Sequence, residues 1–223
     1  MSEDKKLNNA KKVVEILGKV EESSKVLLLS DHETEKNRKY LTSSLEDTNC
    51  TFKHIQIETA KSHGSELPEK IAEEMKLVDL VIGLTKGNIT HTKARKDAQK
   101  EGVHVIALPE SHLDNFFLAD GWNCDFEKTK PKIERLAQAL TDADRARVHT
   151  EDGTDIEMSI KGRNGRALTG YGNSIDVSAG YCLESSLAPV EGTANGTIMV
   201  NTSVPGLCLI KEKNIEIKIK DGL

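Results

Sequence analysis

Aromatic residues are scarce, with one Trp, four Phe and three Tyr in 223 residues. Base-stacking platforms of the kind that grip single-stranded nucleic acid therefore have little to be built from. The net charge of −5 is spread over both signs and offers no basic face for nucleic acid or an anionic membrane. No apolar run approaches the roughly 20 residues that a membrane-spanning helix needs. The opening MSEDKKLNNAKK lacks the apolar core of a secretory signal. Cys50, Cys124, Cys182 and Cys208 are widely separated and form no CxxC pair. That argues against a zinc knuckle and a disulfide scaffold, and for a reduced, cytoplasmic setting. The phosphate-cradling patterns GxGxxG and GxxxxGK[ST] are missing, as is the GxSxG nucleophile elbow. Cys182 has no basic neighbour in sequence that would lower its pKa.

What is present falls into two patterns. Up to about residue 145, short apolar runs alternate with helical spacings. Leu7, Ala10, Val13, Val14, Leu17 and Val20 recur at helical intervals, and VLLLS (26–30) reads as a strand buried on both faces. Further strands are expected at FKHIQI (52–57), VDLVIGL (78–84) and VHVIAL (103–108). Between them lie a helix with Tyr40, Leu41 and Leu45, another with Ile71, Ala72 and Met75, and a surface helix TKARKDAQKEG (92–102). Gly102 suits the left-handed cap that closes that helix. A last helix carries Ile133, Leu136, Ala137 and Leu140, with Pro131 placed for its first turn. Strands separated by helices predict an α/β domain over 1–143 with a doubly wound parallel sheet.

From residue 144 the period changes to two. ARVH (146–149), DIEMSI (155–160), GTIMV (196–200) and NIEIKIK (214–220) read as strands joined by Gly, Asn and Asp turns, and no further helix is expected. Asp221-Gly222 is a hairpin-turn signal, which implies a returning strand. Residues 144–223 are therefore expected to be the start of a β-rich second domain, truncated within a longer protein.

Parallel sheets commonly bind ligands at the carboxyl ends of their strands. Asp31 and His32 follow the first strand, Thr85, Lys86 and Gly87 the third, and Glu110 the fourth. These residues suit either a ligand crevice or ordinary capped loops. Thr90-His91-Thr92 opens the basic helix: Thr90 or Thr92 suits the N-cap, and His91 suits either a ligand or a histidine packed at the helix start. All seven histidines lie at or before position 149 and the acids beyond it are scattered, so the chain lacks the converging ligands of a hydrolytic metal site. Glu184, after a Gly- and Ser-rich loop, is the one candidate metal ligand in the second half.

Two blocks, ESSLAPVEGTANGTIMVN (184–201) and DGTDIEMSIKGR (152–163), resemble the second domain of the thermophilic metalloaminopeptidases. These are leucyl aminopeptidase-like proteins to which 2,5-dihydroxypyridine dioxygenase is related. ITHTKARKDAQKEGVHVIALP (89–109) is similar to the first-domain signature of that group. The resemblance implies a metal-dependent hydrolase, with a peptide substrate and two divalent ions, zinc or cobalt. Glu184 would be one ligand, since the family's glutamate stands five residues before the Pro of the APVE block, here Pro189. Leu183 departs from the glycine usual before that glutamate. The other ligands lie downstream in the family, so this chain alone is expected to be inactive and the metal to bind only the full-length protein. A homo-oligomer is expected. Two other readings stand beside this one: a ring-cleaving dioxygenase with a single iron, and a non-catalytic α/β binding module.

Overall fold

The computed structural model describes residues 2–60, 62–176, 178–204, 208–210 and 213–223. The chain divides into two compact units. The first comprises residues 1–133 and 168–184, the second 134–167 and 185–223, and the boundary falls inside one helix.

The first unit runs α1 (Ser2–Lys11), widening into a π turn over Lys12–Leu17, then β1 (Lys25–Ser30), α2 (Glu35–Asp47) and β2 (Thr51–Gln56). It continues through α3 (Glu69–Met75), β3 (Leu80–Leu84), α4 (Lys93–Lys100) and β4 (His104–Ala107) to α5 (Phe126–Asp142). The four strands form a parallel sheet in the order β2-β1-β3-β4. Side chains of a strand alternate between faces, and β1 shows the consequence. Val26 and Leu28 join one core cluster with Val13, Leu17, Tyr40 and Leu41, while Leu27 and Leu29 join a second with Ile71, Met75, Ala94 and Ala98. Helices therefore cover both faces, which is the doubly wound arrangement expected from the alternating pattern.

Two local expectations are corrected. Pro131 lies inside α5 rather than in its first turn. The helix starts earlier because Asp125 caps it, its Oδ1 accepting from the Lys128 amide at 3.1 Å; the missing N–H of Pro131 then deprives the carbonyl four residues back of its helical bond. Helix α4 is not simply a surface helix, since Ala94, Arg95, Ala98 and Gln99 are all buried along one stripe. Its end is as expected: Gly102 has φ +91°, its N–H donates to Gln99 O (3.0 Å) and that of Val103 to Ala98 O (3.2 Å), a Schellman closure.

The segment 168–184 lines the open edge of β4 without forming a long strand. Val105 N–H donates to Asn173 O (3.2 Å) and Ala107 N–H to Ser178 O (2.8 Å). This satisfies an edge that would otherwise offer unpaired backbone groups.

The second unit is built on β5 (Arg145–His149) and β6 (Asp155–Ser159), then, after the short pair β7 (Arg166–Leu168) and β8 (Glu184–Ser186), on β9 (Asn195–Val200). A second short pair, β10 (Ser203–Val204) and β11 (Cys208–Leu209), precedes β12 (Ile215–Ile219). The principal sheet is antiparallel in the order β12-β9-β6-β5, and no helix follows α5 among the described residues. Asp221 (φ +51°) and Gly222 (φ +83°) form the expected turn, with Lys220 and Leu223 exchanging both backbone hydrogen bonds at 2.8 and 3.0 Å.

Candidate functional site

In the order β2-β1-β3-β4 the chain winds outward from β1 to β2 and then crosses back to β3. The crevice of a doubly wound sheet opens at such a reversal, outside the carboxyl ends of the strands. Asp31 occupies that point. Its side chain is buried, Oδ1 accepting from the Glu33 amide (3.1 Å) and Oδ2 from the Lys86 amide (2.8 Å). One carboxylate thus ties the loop after β1 to the loop after β3. Thr34 closes the same knot, its hydroxyl lying 2.8 Å from Leu84 O and 3.1 Å from the Asp31 amide. Thr85 Oγ1 donates to Gly87 O at 2.9 Å. A cavity of about 560 Å³ opens beside these residues, lined by Asp31, Thr85 and Gly87 together with side chains of the segments 56–60 and 65–71. Of the strand-end candidates, the structure therefore brings Asp31, Thr85 and Gly87 to one crevice. His32 is exposed beside it, its Nδ1 2.7 Å from Gln56 Nε2, and Lys86 pairs with Glu33 at 3.5 Å.

The far wall carries a carboxylate that the sequence reading did not single out. Glu66 accepts the first-turn amides of α4, from Lys93 (2.8 Å) and Ala94 (3.1 Å). Burial opposes its ionisation, yet these amides, that of Leu67 and the Lys93 charge together hold it below the ordinary carboxylate value. A carboxyl whose pKa is depressed by folding contributes stability above its unfolded value, and that contribution fades as pH falls through the lower, folded one. Acidification below about pH 4 should accordingly lower the protection of the Lys93 and Ala94 amides, read as their exchange relative to the free-chain rate at the same pH. In Glu66→Gln those amides should exchange faster already at neutral pH and lose this acid dependence.

The Thr-His-Thr step sits on the turn after β3. Thr92 is the N-cap of α4: its Oγ1 accepts from the Arg95 amide (3.2 Å) and donates to Ile89 O (2.8 Å). Thr90 is buried, its amide and hydroxyl both bonded to Asn88 Oδ1. His91 is exposed, not packed at the helix start, because the buried positions of that turn are taken by Ile89, Thr90 and Thr92. Arg95 carries the structural role that the sequence did not disclose. Buried in α4, its Nε donates to Thr90 O (2.8 Å) and its Nη1 contacts Gln99 Oε1. The Gln99 amide then donates to the carbonyls of Asn173 and Asp176, each at 2.8 Å. A polar ladder inside the first unit thus fixes the segment that leads on to Glu184.

Glu184 opens β8 and is exposed. Cys182 is exposed, yet the surrounding protein desolvates its thiol enough to push the pKa up, and the charges of Glu184 and Glu110 add to the rise, so this cysteine is held as a thiol rather than a nucleophilic thiolate. Glu110 itself has φ +60° at the end of β4, and its Oε2 lies 3.9 Å from His112 Nε2. No group of three or more His, Cys, Asp or Glu side chains able to hold a metal ion occurs among the described residues. Glu184 and His91 are not brought into such a group, and the residues described here do not by themselves fit a metal centre.

The sequence profile of the NicX family, 2,5-dihydroxypyridine 5,6-dioxygenase, matches residues 7–223. Among solved structures, the chain is similar to 2,5-dihydroxypyridine dioxygenase from Pseudomonas putida, with a TM-score of 0.79 and 15% identity over 97% of this chain and 65% of that one. It is also similar to wild-type AmpT from Thermus thermophilus, with a TM-score of 0.57 and 11% identity over 90% of this chain and 65% of that one. At such identities both likenesses concern the fold, and the chain spans 65% of the length of each structure. No curated protein sequence matches. These findings correct the assignment drawn from the ESSLAPVEGTANGTIMVN block: the peptidase, hydrolase and metalloprotease reading, with zinc or cobalt, gives way to the dioxygenase relative, whose profile covers nearly the whole chain. The chain belongs to the NicX, 2,5-dihydroxypyridine 5,6-dioxygenase, family.

Proposed function

We propose that this chain is part of an iron-dependent dioxygenase that opens the ring of a dihydroxylated pyridine. The observation that carries the reading is the family match over residues 7–223. Glu184 is the carboxylate we assign to the metal side of the protein; the described residues hold no group of three or more candidate ligands around it. The polar ladder from Thr90 through Arg95 and Gln99 supports a positioning role for the first unit, because it fixes the backbone that precedes Glu184.

The test is oxygen uptake with 2,5-dihydroxypyridine, using protein isolated from its native cells and supplied with ferrous iron. Uptake matching ring loss mole for mole, and abolished by an iron chelator, is the expected result. Release of p-nitroaniline from leucine p-nitroanilide without oxygen uptake would overturn the reading. A binding-module reading is supported by one observation, the cavity at the carboxyl end of the parallel sheet.

A further inference from the structure

The crevice beside Asp31 lies within the first unit, and the proposed ring cleavage makes no use of it. We propose that it binds a small organic amine, a molecule with an apolar body and an ammonium group. Its volume of about 560 Å³ lies within the range of small-molecule sites, and it stands where doubly wound sheets place their ligands. Its apolar wall comes from Ile57, Leu67, Pro68 and Ile71. Three of these, Ile57, Leu67 and Ile71, also pack in the second core cluster, so the wall is preformed.

The polar groups decide the sign of the ligand. Crevices of this kind usually receive anions, because backbone amides at loop and helix starts point into them. Here the protein's own carboxylates already occupy those donors. Asp31 takes the Glu33 and Lys86 amides, and Glu66 takes the first amides of α4. A phosphate or carboxylate would have to displace them and then face two carboxyl groups. What remains is acceptor-rich. The Gln56 amide nitrogen is engaged with His32, which leaves its carbonyl, and the Thr85 hydroxyl donates to Gly87 O, which leaves its lone pairs. Glu58 lines the cavity from an exposed position, and Lys70 is the one cation lining it among the described residues. Three carboxylates against one ammonium, beside an apolar wall, select a cation with an apolar body.

The experiment titrates the full chain with phenethylamine and, separately, with 3-phenylpropionate, following backbone amides by heteronuclear NMR. Phenethylamine is expected to shift the amides of Ile57, Leu67, Ile71 and Thr85, and 3-phenylpropionate to leave them in place. Glu58→Gln, at an exposed position that should not disturb folding, is expected to weaken the amine about tenfold, in line with loss of a charge-assisted hydrogen bond. Equal or tighter binding of 3-phenylpropionate, amine shifts that map outside the crevice, or no amine binding would each overturn the proposal. None of these outcomes depends on whether the protein cleaves a pyridine ring.

Discussion

Trp122→Ala is expected to destabilise the first unit by about 3–5 kcal/mol, as large-to-small changes at buried aromatic positions do. The indole is fully buried. It meets Tyr181 edge-on at 4.8 Å and Phe116 at 5.7 Å, and tilts against Phe117 at 5.7 Å. Such pairs add to simple area burial because ring edges and faces carry opposite partial charge. The indole N–H also donates to Phe116 O at 3.0 Å, so truncation leaves a void and removes one of that carbonyl's two hydrogen bonds, the Ala119 amide remaining at 3.2 Å. Trp122→Phe keeps most of the volume and loses the hydrogen bond, and should cost about 1–3 kcal/mol. Urea denaturation followed by far-ultraviolet circular dichroism reads both values, the protein's single tryptophan being the residue removed. A second consequence follows from Tyr181, which rests on the indole and lies three residues before Glu184. Hydrogen exchange across 178–184 should accelerate in Trp122→Ala more than across β1. An unchanged denaturation midpoint would show that this aromatic cluster does not hold the unit together.

The sheet of the first unit was legible because its chemistry is repetitive. VLLLS reads as a two-faced strand, and the structure sends its alternate residues to two separate cores. Asp221-Gly222 was legible for a different reason, since few residue pairs adopt two successive positive φ angles. The docking of 168–184 on β4 left no such trace. It rests on backbone bonds from Asn173 and Ser178, which impose no side-chain period. Arg95 was hidden by its charge: in TKARKDAQKEG it looks like one more solvated cation, and only the folded chain shows its partners Thr90 and Gln99. At the site, Asp31, Thr85 and Gly87 could be named from their place after strands, whereas Glu66 could not, because its partners are amides 27 and 28 residues away. The choice between peptidase and dioxygenase was not legible at all from the APVEGTANGT block. The resemblance placed that block with the metalloaminopeptidases, to which the dioxygenase is related, and the ligands that would separate the two do not form a group among the described residues.

Gly196→Ala is expected to undo the second unit while leaving the first folded. Gly196 sits in β9 with φ +141°, a conformation costly for any residue with a Cβ. A Cβ placed there would lie 2.2 Å from Asp155 O and 2.7 Å from Ile156 Cα. Both are backbone atoms of the neighbouring strand and cannot turn aside as a side chain would. Gly196 pairs with Ile156 of β6 on one side and Ile219 of β12 on the other, so relief requires the central strands to separate. Backbone strain of this kind costs on the order of 1–3 kcal/mol, and lost ladder hydrogen bonds add to it. The second unit has little to set against that cost. Its principal sheet buries Ile156 while leaving Val148 48% exposed and Ile217 39% exposed. Hydrogen exchange resolves the outcome by region. Amides of 155–159 and 195–200 should lose protection in the variant while those of 26–30 and 80–84 keep theirs. Protection retained in both regions would mean that β6 and β9 can move apart without cost, and that the close backbone approach at Gly196 does not hold this sheet.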